Sequence, residues 1–424
     1  MNKRWPAAIA GGAIAWYASD SLRHRREQGQ GYELRGKEIK VGSDEFLRAT
    51  EALTMAPIAH GNDIELLING DAIFPAMIET MRNARRSLNF LSYLYWSGDI
   101  ACEIAAALCN RAQAGVQVNV LLDAVGSARM DRELIEKMDE AGVTFAYFRP
   151  PKPYAVRRLN NRTHRKLLVA DGEVGMTGGV GIADRWTGDA QDPDHWRDTH
   201  VRVRGPIVRG LQGAFAENWL EATGDVLVGS AYLPDLQPVS DDAAMQVVRS
   251  TATVGDTSIE ALYFLAIECA RTSLHLTSAY FAPRPAFVDA LTDAARRGVD
   301  VRVLVPGPYI DKEFVRQAGR AVYEELLGAG VRIFEFCPTM IHAKTLTIDN
   351  VWSSVGSVNF DNRSFQLQDE VTLCVCSSTF AAQLDEQFER DLERSEEMQL
   401  GRWNGRPPGA RVKEGLTKLA RREL

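Results

Sequence analysis

The sequence predicts an α/β protein built as two similar halves, each a mostly parallel mixed sheet flanked by helices, the two related by pseudo-two-fold symmetry. Three observations predict this. Helical periodicity repeatedly stops at a glycine and gives way to a β-branched run. The units built this way in the first part of the chain recur in the same order in the second. Each series then closes on a segment with histidine, lysine and aspartate at one spacing, "THRKLLVADG" and "IHAKTLTIDN".

A chain of 424 residues exceeds what one core usually organises, so more than one domain is expected. The divisions expected are a leader over 1–40, a first domain over 41–235, a second over 236–398 and a basic tail over 399–424. The leader carries an apolar stretch from Trp5 to Ala18 with basic residues on both sides. That stretch falls short of the ~20 residues that cross a bilayer. The basic "LRHRR" behind it opposes export, so an uncleaved anchor on the cytoplasmic face is preferred to a signal peptide or a disordered leader.

Along the first half, "AMIETMRNARRSLNFLSYLYW" reads as an amphipathic helix feeding a strand. "IACEIAAALCNRAQAGVQVNVLLD" gives a second helix, closed at Gly115, and an apolar strand; "LIEKMDEAGVTFAYF" repeats the plan. In the second half "EALYFLAIECARTSLHLTSAYF", "AFVDALTDAARRGVDVRVLV" and "AVYEELLGAGVRIFEF" match them in turn. Such alternation of helix and strand predicts sheets covered by helices. The seam is expected between Thr223 and Met245, where Gly, Pro, Ser and Asp concentrate. The aromatic run "YLYW" is expected in the core, and "PRPAF", from Pro283 to Phe287, in a loop at the edge of a site. The basic tail can form a short amphipathic helix, either solvated or in contact with anionic headgroups.

Composition narrows the function. A formal net charge of −7 opposes a nucleic-acid partner, which requires a basic face. None of the six cysteines forms a C-x-x-C pair, and most lie in apolar runs, so they read as buried free thiols. No H-E-x-x-H or comparable ligand cluster appears, so no catalytic metal and no cofactor are expected.

Side chains alternate faces along a strand, so His164 and Lys166 share one face, as do His342 and Lys344. Asp171 and Asp349 fall at the turn pairs "DG" and "DN", where each strand turns back. Facing copies of this arrangement would assemble two imidazoles and two ammonium groups in one site. Two lysines neutralise a phosphodiester and the charge that develops in its transition state. One histidine attacks phosphorus and forms a phosphohistidine, while the other protonates the departing alkoxide and then deprotonates the incoming alcohol or water.

The paired H-x-K-x-x-x-x-D motifs resemble those of the phospholipase D superfamily, and the chain is most similar there to the bacterial cardiolipin synthases. "AGVQVNVLLDAVGS", "HWRDTHVRVRGP", "GVRIFEF" and "GSVNFDNRSF" carry the likeness, which spans about Asn62 to Glu393. The resemblance implies two phospholipase D-like domains and a site formed by His164, Lys166, Asp171, His342, Lys344 and Asp349. It also implies supporting roles for Asn359, Glu370, Asp198, Ser357 and Gly179, with Asn359 on a phosphate oxygen and the two acids each holding a histidine ring. Whether each acid serves the histidine of its own half stays open at this stage, and His164 is taken as the nucleophile by family analogy. Asp171 and Asp349 are expected as structural supports at the edge of the site rather than proton carriers. Gly181 departs from the family's "GGxN", which would place Asn there. His195 and His200 flank Asp198 and are read as packing or surface residues.

The implied activity is transfer of a phosphatidyl group to the glycerol hydroxyl of phosphatidylglycerol, at the cytoplasmic face of a bacterial membrane, with no nucleic-acid partner. The donor phospholipid stays unassigned. A hydrolase is the alternative, then a nuclease, which the acidic balance disfavours. An inactive membrane scaffold is opposed by the two intact His/Lys pairs.

Overall fold

Strands β1 (Asp63–Ile68), β2 (Ser87–Ser92), β3 (Gln117–Asp123), β4 (Thr144–Phe148), β5 (Arg162–Thr163), β6 (Leu167–Ala170), β7 (Val174–Gly178) and β8 (Thr199–Arg204) come from the first half of the chain. The second half supplies β9 (Ala244–Ser250), β10 (Ser273–Ser278), β11 (Phe281–Ala282), β12 (Asp300–Pro306), β13 (Arg332–Phe336) and β14 (Lys344–Ile348). It continues with β15 (Trp352–Gly356), β16 (Phe360–Asp361), β17 (Gln368–Cys376) and β18 (Ser395–Glu397). The computed structural model describes residues 32–35, 39–151, 160–240, 243–252 and 256–404. The expected leader stretch, Trp5–Ala18, and the basic tail beyond residue 404 lie outside the described residues. Among the described residues no helix is long and apolar enough to cross a membrane.

The strands form a seven-stranded sheet, ordered β1-β8-β7-β6-β2-β3-β4, and a nine-stranded sheet, ordered β18-β13-β12-β10-β14-β15-β17-β5 with β9 also on β17. The repeat is visible in the registers. β2 and β3 pair in parallel from Ser87↔Gln117, and β10 and β12 from Ser273↔Asp300. β6 returns antiparallel on β2, and β14 antiparallel on β10.

Two α/β halves are therefore present, but the sheets are not mostly parallel. Parallel pairing is confined to β2-β3-β4, β10-β12-β13 and the short β5–β17 and β11–β16 contacts. The cause is connection length. Helices Asp99–Gln113 and Pro285–Arg296 carry the chain back for a parallel partner, whereas the motif strands return through tight turns that allow only antiparallel neighbours. At those turns Asp171 and Gly172 have φ of 55° and 68°, and Asp349 and Asn350 have 53° and 51°. Asp, Asn and Gly tolerate this left-handed backbone, and only three residues separate the paired strand ends Ala170↔Val174 and Ile348↔Trp352.

Three apolar layers hold these sheets. One face of the first sheet (Leu88, Phe90, Val118, Val120) packs on helices Asn69–Asn83 and Asp99–Gln113. One face of the second (Leu274, Leu276, Val301, Val303) packs on helices Ser258–Cys269 and Pro285–Arg296. Helix Asp44–Thr54 joins this second layer although it precedes β1, with Phe46 meeting Trp352 edge-on at 6.0 Å. The inner faces share one core, in which Leu91, Val169 and Val203 of the first sheet meet Val247, Val371 and Leu373 of the second. Helices Val208–Thr223 and Ser378–Leu392 contribute Phe215, Trp219 and Phe380 to it. Burial on both sheet faces explains why the strands read as continuous apolar runs.

Two predicted placements change. Pro283–Phe287 is no site-edge loop: Pro285 opens a helix, a position where its missing N–H costs nothing, and Phe287 is fully buried against Phe360 and Phe365. The "YLYW" run divides, with Tyr95 in the core and Tyr93 beside a histidine of the site.

Candidate active site

His164, Arg165 and Lys166 continue the chain from β5 into β6, and the alternation of side chains holds. Arg165 points into protein and donates to the carbonyls of Glu370, Ala214 and Ser250. His164 and Lys166 turn the other way, and Lys166 Nζ donates to the His164 carbonyl at 2.7 Å. The second motif repeats this, with Lys344 Nζ donating to the His342 carbonyl. All four side chains are buried.

Each histidine is held by the other half. The His164 N–H donates to the Asp369 carbonyl at 2.8 Å, and the His342 N–H to the Arg197 carbonyl at 2.7 Å. The next residue along the chain is an acid in both cases, Glu370 within β17 and Asp198 just before β8. Glu370 Oε1 therefore lies 3.0 Å from His164 Nδ1, and Asp198 Oδ2 lies 2.9 Å from His342 Nδ1. Around His164 Nδ1 the remaining neighbour is another acceptor, the Ser357 carbonyl at 3.1 Å, so this nitrogen carries the ring proton. In both rings the side-chain hydrogen bonds fall on Nδ1, and Nε2 has none among the described residues. The arrangement answers the question of partners: each acid serves the histidine of the opposite half.

Equivalent backbone supports each acid. Gly179 N–H donates to the Thr199 carbonyl at 3.1 Å, and Ser357 N–H to the Val371 carbonyl at 2.9 Å. A Cβ at Gly179 would stand 2.1 Å from Asp198 Oδ1, so only glycine lets that carboxylate approach. Ser357 uses its hydroxyl instead, donating to Glu370 Oε2.

Electrostatics follow from burial. Desolvation, reinforced by the ammonium groups of Lys166 and Lys344, holds the His164 pKa well below the usual histidine range. Burial and Lys344 depress His342 to about 3, against the opposing pull of Asp198. Burial lowers Lys166 to about 7 and Lys344 to about 8, while Glu370 and Asp198 resist that loss of charge in both. The acids differ. Burial raises Glu370 to about 7, whereas at Asp198 burial is outweighed by the His342 hydrogen bond and the nearby cations, leaving it at about 2. Lys344 acts on His164 and Lys166 acts on His342, so the two motifs share one electrostatic environment.

Asp171 and Asp349 stand apart from this cluster. Each lies five residues beyond its lysine along a strand, about 16 Å at ~3.3 Å per residue. Asp171 accepts the backbone N–H groups of Arg85, Arg86 and Ser87; Asp349 accepts those of Arg271, Thr272 and Ser273. They clamp the helix-to-strand corners rather than the edge of the site, where they were expected. Asn359 does sit among the buried polar residues, and its Oδ1 has no hydrogen-bond partner among the described residues. His200 is buried with both ring nitrogens unpaired, and burial holds it near a pKa of about 4. His195 pairs with Asp192 at 2.7 Å.

Trp186 was not anticipated. Its Nε1–H donates to Asp198 Oδ2 at 2.9 Å, the oxygen that also serves His342, and its ring meets the His342 ring edge-on at 5.2 Å. Its ring also borders Gly181, where a Cβ would lie 3.2 Å from Leu94 Cβ and 3.3 Å from the Trp186 ring. Tyr93 was the other omission, packed edge-on against His164 at 5.1 Å. Its signal was its place directly after β2, the strand that pairs with β6 of the first motif.

The family described as "Cardiolipin synthase, PLD-like domain" matches residues 77–201 and 263–392, one match on each half. The chain belongs to this family. A cardiolipin synthase of Halalkalibacterium halodurans is 34% identical over 384 residues, covering 90% of this chain and 76% of that protein. Cardiolipin synthase A of Pseudomonas fluorescens is 35% identical over 353 residues, covering 83% and 73%. The fold is shared with the crystal structure of a phosphatidylserine synthase from Haemophilus influenzae, at a TM-score of 0.71, 14% identity, and coverage of 90% of this chain and 100% of that one.

Proposed function

We propose that the chain is a phosphatidyltransferase which moves a phosphatidyl group through a phosphohistidine to the glycerol hydroxyl of phosphatidylglycerol, forming cardiolipin. The observation that carries this reading is the pair of crossed histidine–acid contacts, with one lysine from each half, in a chain whose relatives from Halalkalibacterium halodurans and Pseudomonas fluorescens are cardiolipin synthases.

His164 is the nucleophile in this scheme. The charges that bear on it include Lys166, Lys344, Lys312 and Arg363, all of which favour the neutral ring that can attack. His342 is the acid: it is neutral in the free site, and the negative charge of a bound phosphodiester together with the ionised Asp198 beside it stabilises the imidazolium that gives up the proton. His164 Nε2 bonds to phosphorus as the bond to the headgroup alcohol breaks, and His342 gives its proton to that oxygen. The hydroxyl of the second lipid then returns a proton to His342 and attacks phosphorus, freeing His164. Lys166 and Lys344 neutralise the non-bridging oxygens, and the buried site strengthens that interaction. One phosphodiester replaces another, so no nucleotide enters the balance.

The test is to incubate the purified protein with phosphatidylglycerol vesicles, with and without ethanol, and to identify products by mass spectrometry. Cardiolipin, with phosphatidylethanol when ethanol is present, is expected. Phosphatidic acid alone would make the protein a hydrolase, and the absence of all three products would end the proposal.

A further inference from the structure

Transfer between two phospholipids brings a second phosphodiester to the site, carried by the acceptor. Lys166 and Lys344 are buried at the reacting centre. Two more cations stand at its rim, both from the second half. Lys312, exposed in the loop after β12, lies with Nζ 4.5 Å from the centre of the Tyr280 ring, and that ring is 6.4 Å from His342. Arg363, half-buried four residues after Asn359, donates from Nη1 to Asn160 Oδ1 at 3.1 Å, four residues before His164.

Neither cation has a carboxylate within ion-pair distance among the described residues. Two acids act on Lys312 through space, Asp311 and Asp361, and each also accepts a hydrogen bond of its own. Asp311 accepts the Tyr280 hydroxyl at 2.8 Å, and Asp361 accepts the Ser364 N–H at 2.8 Å, with burial raising its pKa to about 7. In the first half the corresponding positions are Arg129, six residues past β3, and Arg185, four past Gly181. Arg129 lies over Trp96 at 4.7 Å and Arg185 over Trp196 at 5.7 Å. The fields of Lys312 and Arg363 both reach His164. The rim therefore offers two positive charges without an ion-pair carboxylate among the described residues, on the side where the covalent intermediate would form.

We propose that Lys312 and Arg363 form a second anion subsite that binds the phosphodiester of the acceptor phospholipid and presents its free hydroxyl to the phosphorus on His164. This rests on the transfer reaction proposed above. An anionic acceptor gains from the subsite, and a small neutral alcohol does not.

The test uses the full-length protein with phosphatidylglycerol vesicles and a fixed amount of ethanol, and reads the ratio of cardiolipin to phosphatidylethanol. Both products come from one intermediate, so the ratio reports acceptor choice independently of donor binding. Lys312→Gln, Arg363→Gln and the double variant are expected to lower the ratio, the double variant by about tenfold, with Lys312→Arg close to wild type. Lys312 is exposed, so Lys312→Gln leaves the fold intact and gives a reading even if Arg363→Gln does not. An unchanged ratio in the variants, with wild type active, would overturn the subsite alone. A wild-type protein that makes neither product would overturn the transfer reaction as well.

Discussion

Glu370, on the longest strand of the second half, accepts the Nδ1–H of His164, which belongs to the first half. The contact fixes which nitrogen of His164 carries the proton and which is left bare, so the tautomer of one motif is set by the other.

Glu370→Gln should therefore act on chemistry more than on binding. We expect kcat to fall by about 10²–10⁴ with little change in KM, the range typical of a lost proton-transfer arrangement. His164→Ala and His342→Ala should each abolish turnover. Steady-state kinetics on vesicles measures all three, and near-normal turnover in either alanine variant would refute a shared site.

Activity should fall as pH rises. A buried lysine whose pKa is depressed carries its charge below that pKa and loses it above. With Lys166 at about 7 and Lys344 at about 8, kcat/KM should decline on the alkaline side through this window. Bound phosphate favours the charged form, so the decline in kcat should lie at higher pH. A flat kcat/KM profile to pH 9 would contradict the assignment.

Trp186→Phe keeps the ring against His342 and removes the N–H given to Asp198. Loss of a hydrogen bond to a charged group should lower kcat by about tenfold or more. Gly181→Asn should also be harmful, since a Cβ there already lies tight against Leu94 and Trp186. Overpacking of this kind costs about 1–3 kcal/mol, visible as a lowered Tm. A Gly181→Asn protein with wild-type Tm would show that the Trp186 side yields.

Asp171→Ala and Asp349→Ala should separate stability from catalysis. Each leaves several backbone N–H groups without their acceptor, at about 1–3 kcal/mol for a buried one. Asp171 should cost more, because the Ser87 N–H it accepts is buried while the groups around Asp349 are more exposed. Denaturant titration measures the loss. A large drop in kcat per folded molecule would instead give these acids a part in the reaction.

What could be read from the sequence was local. Helix stops such as Gly115, the Asp171–Gly172 turn and the spacing of His164 to Lys166 are set within a few residues, and each appears in the structure. The extent of antiparallel pairing was missed because an apolar run such as β6 looks the same beside a parallel or an antiparallel neighbour. The crossing of Glu370 to His164 spans 206 residues, and no spacing rule reaches that far. Trp186 offered no local sign, since its N–H matters only through an acid twelve residues away in another loop.

A fragment containing one motif would own a histidine but lack the acid that orients it. Two copies of such a fragment, placed face to face, would restore both pairs, which is the geometry of a symmetric dimer. In this chain that union is made covalent, so both crossed pairs survive any dilution, and each of the two sides is free to change without the other.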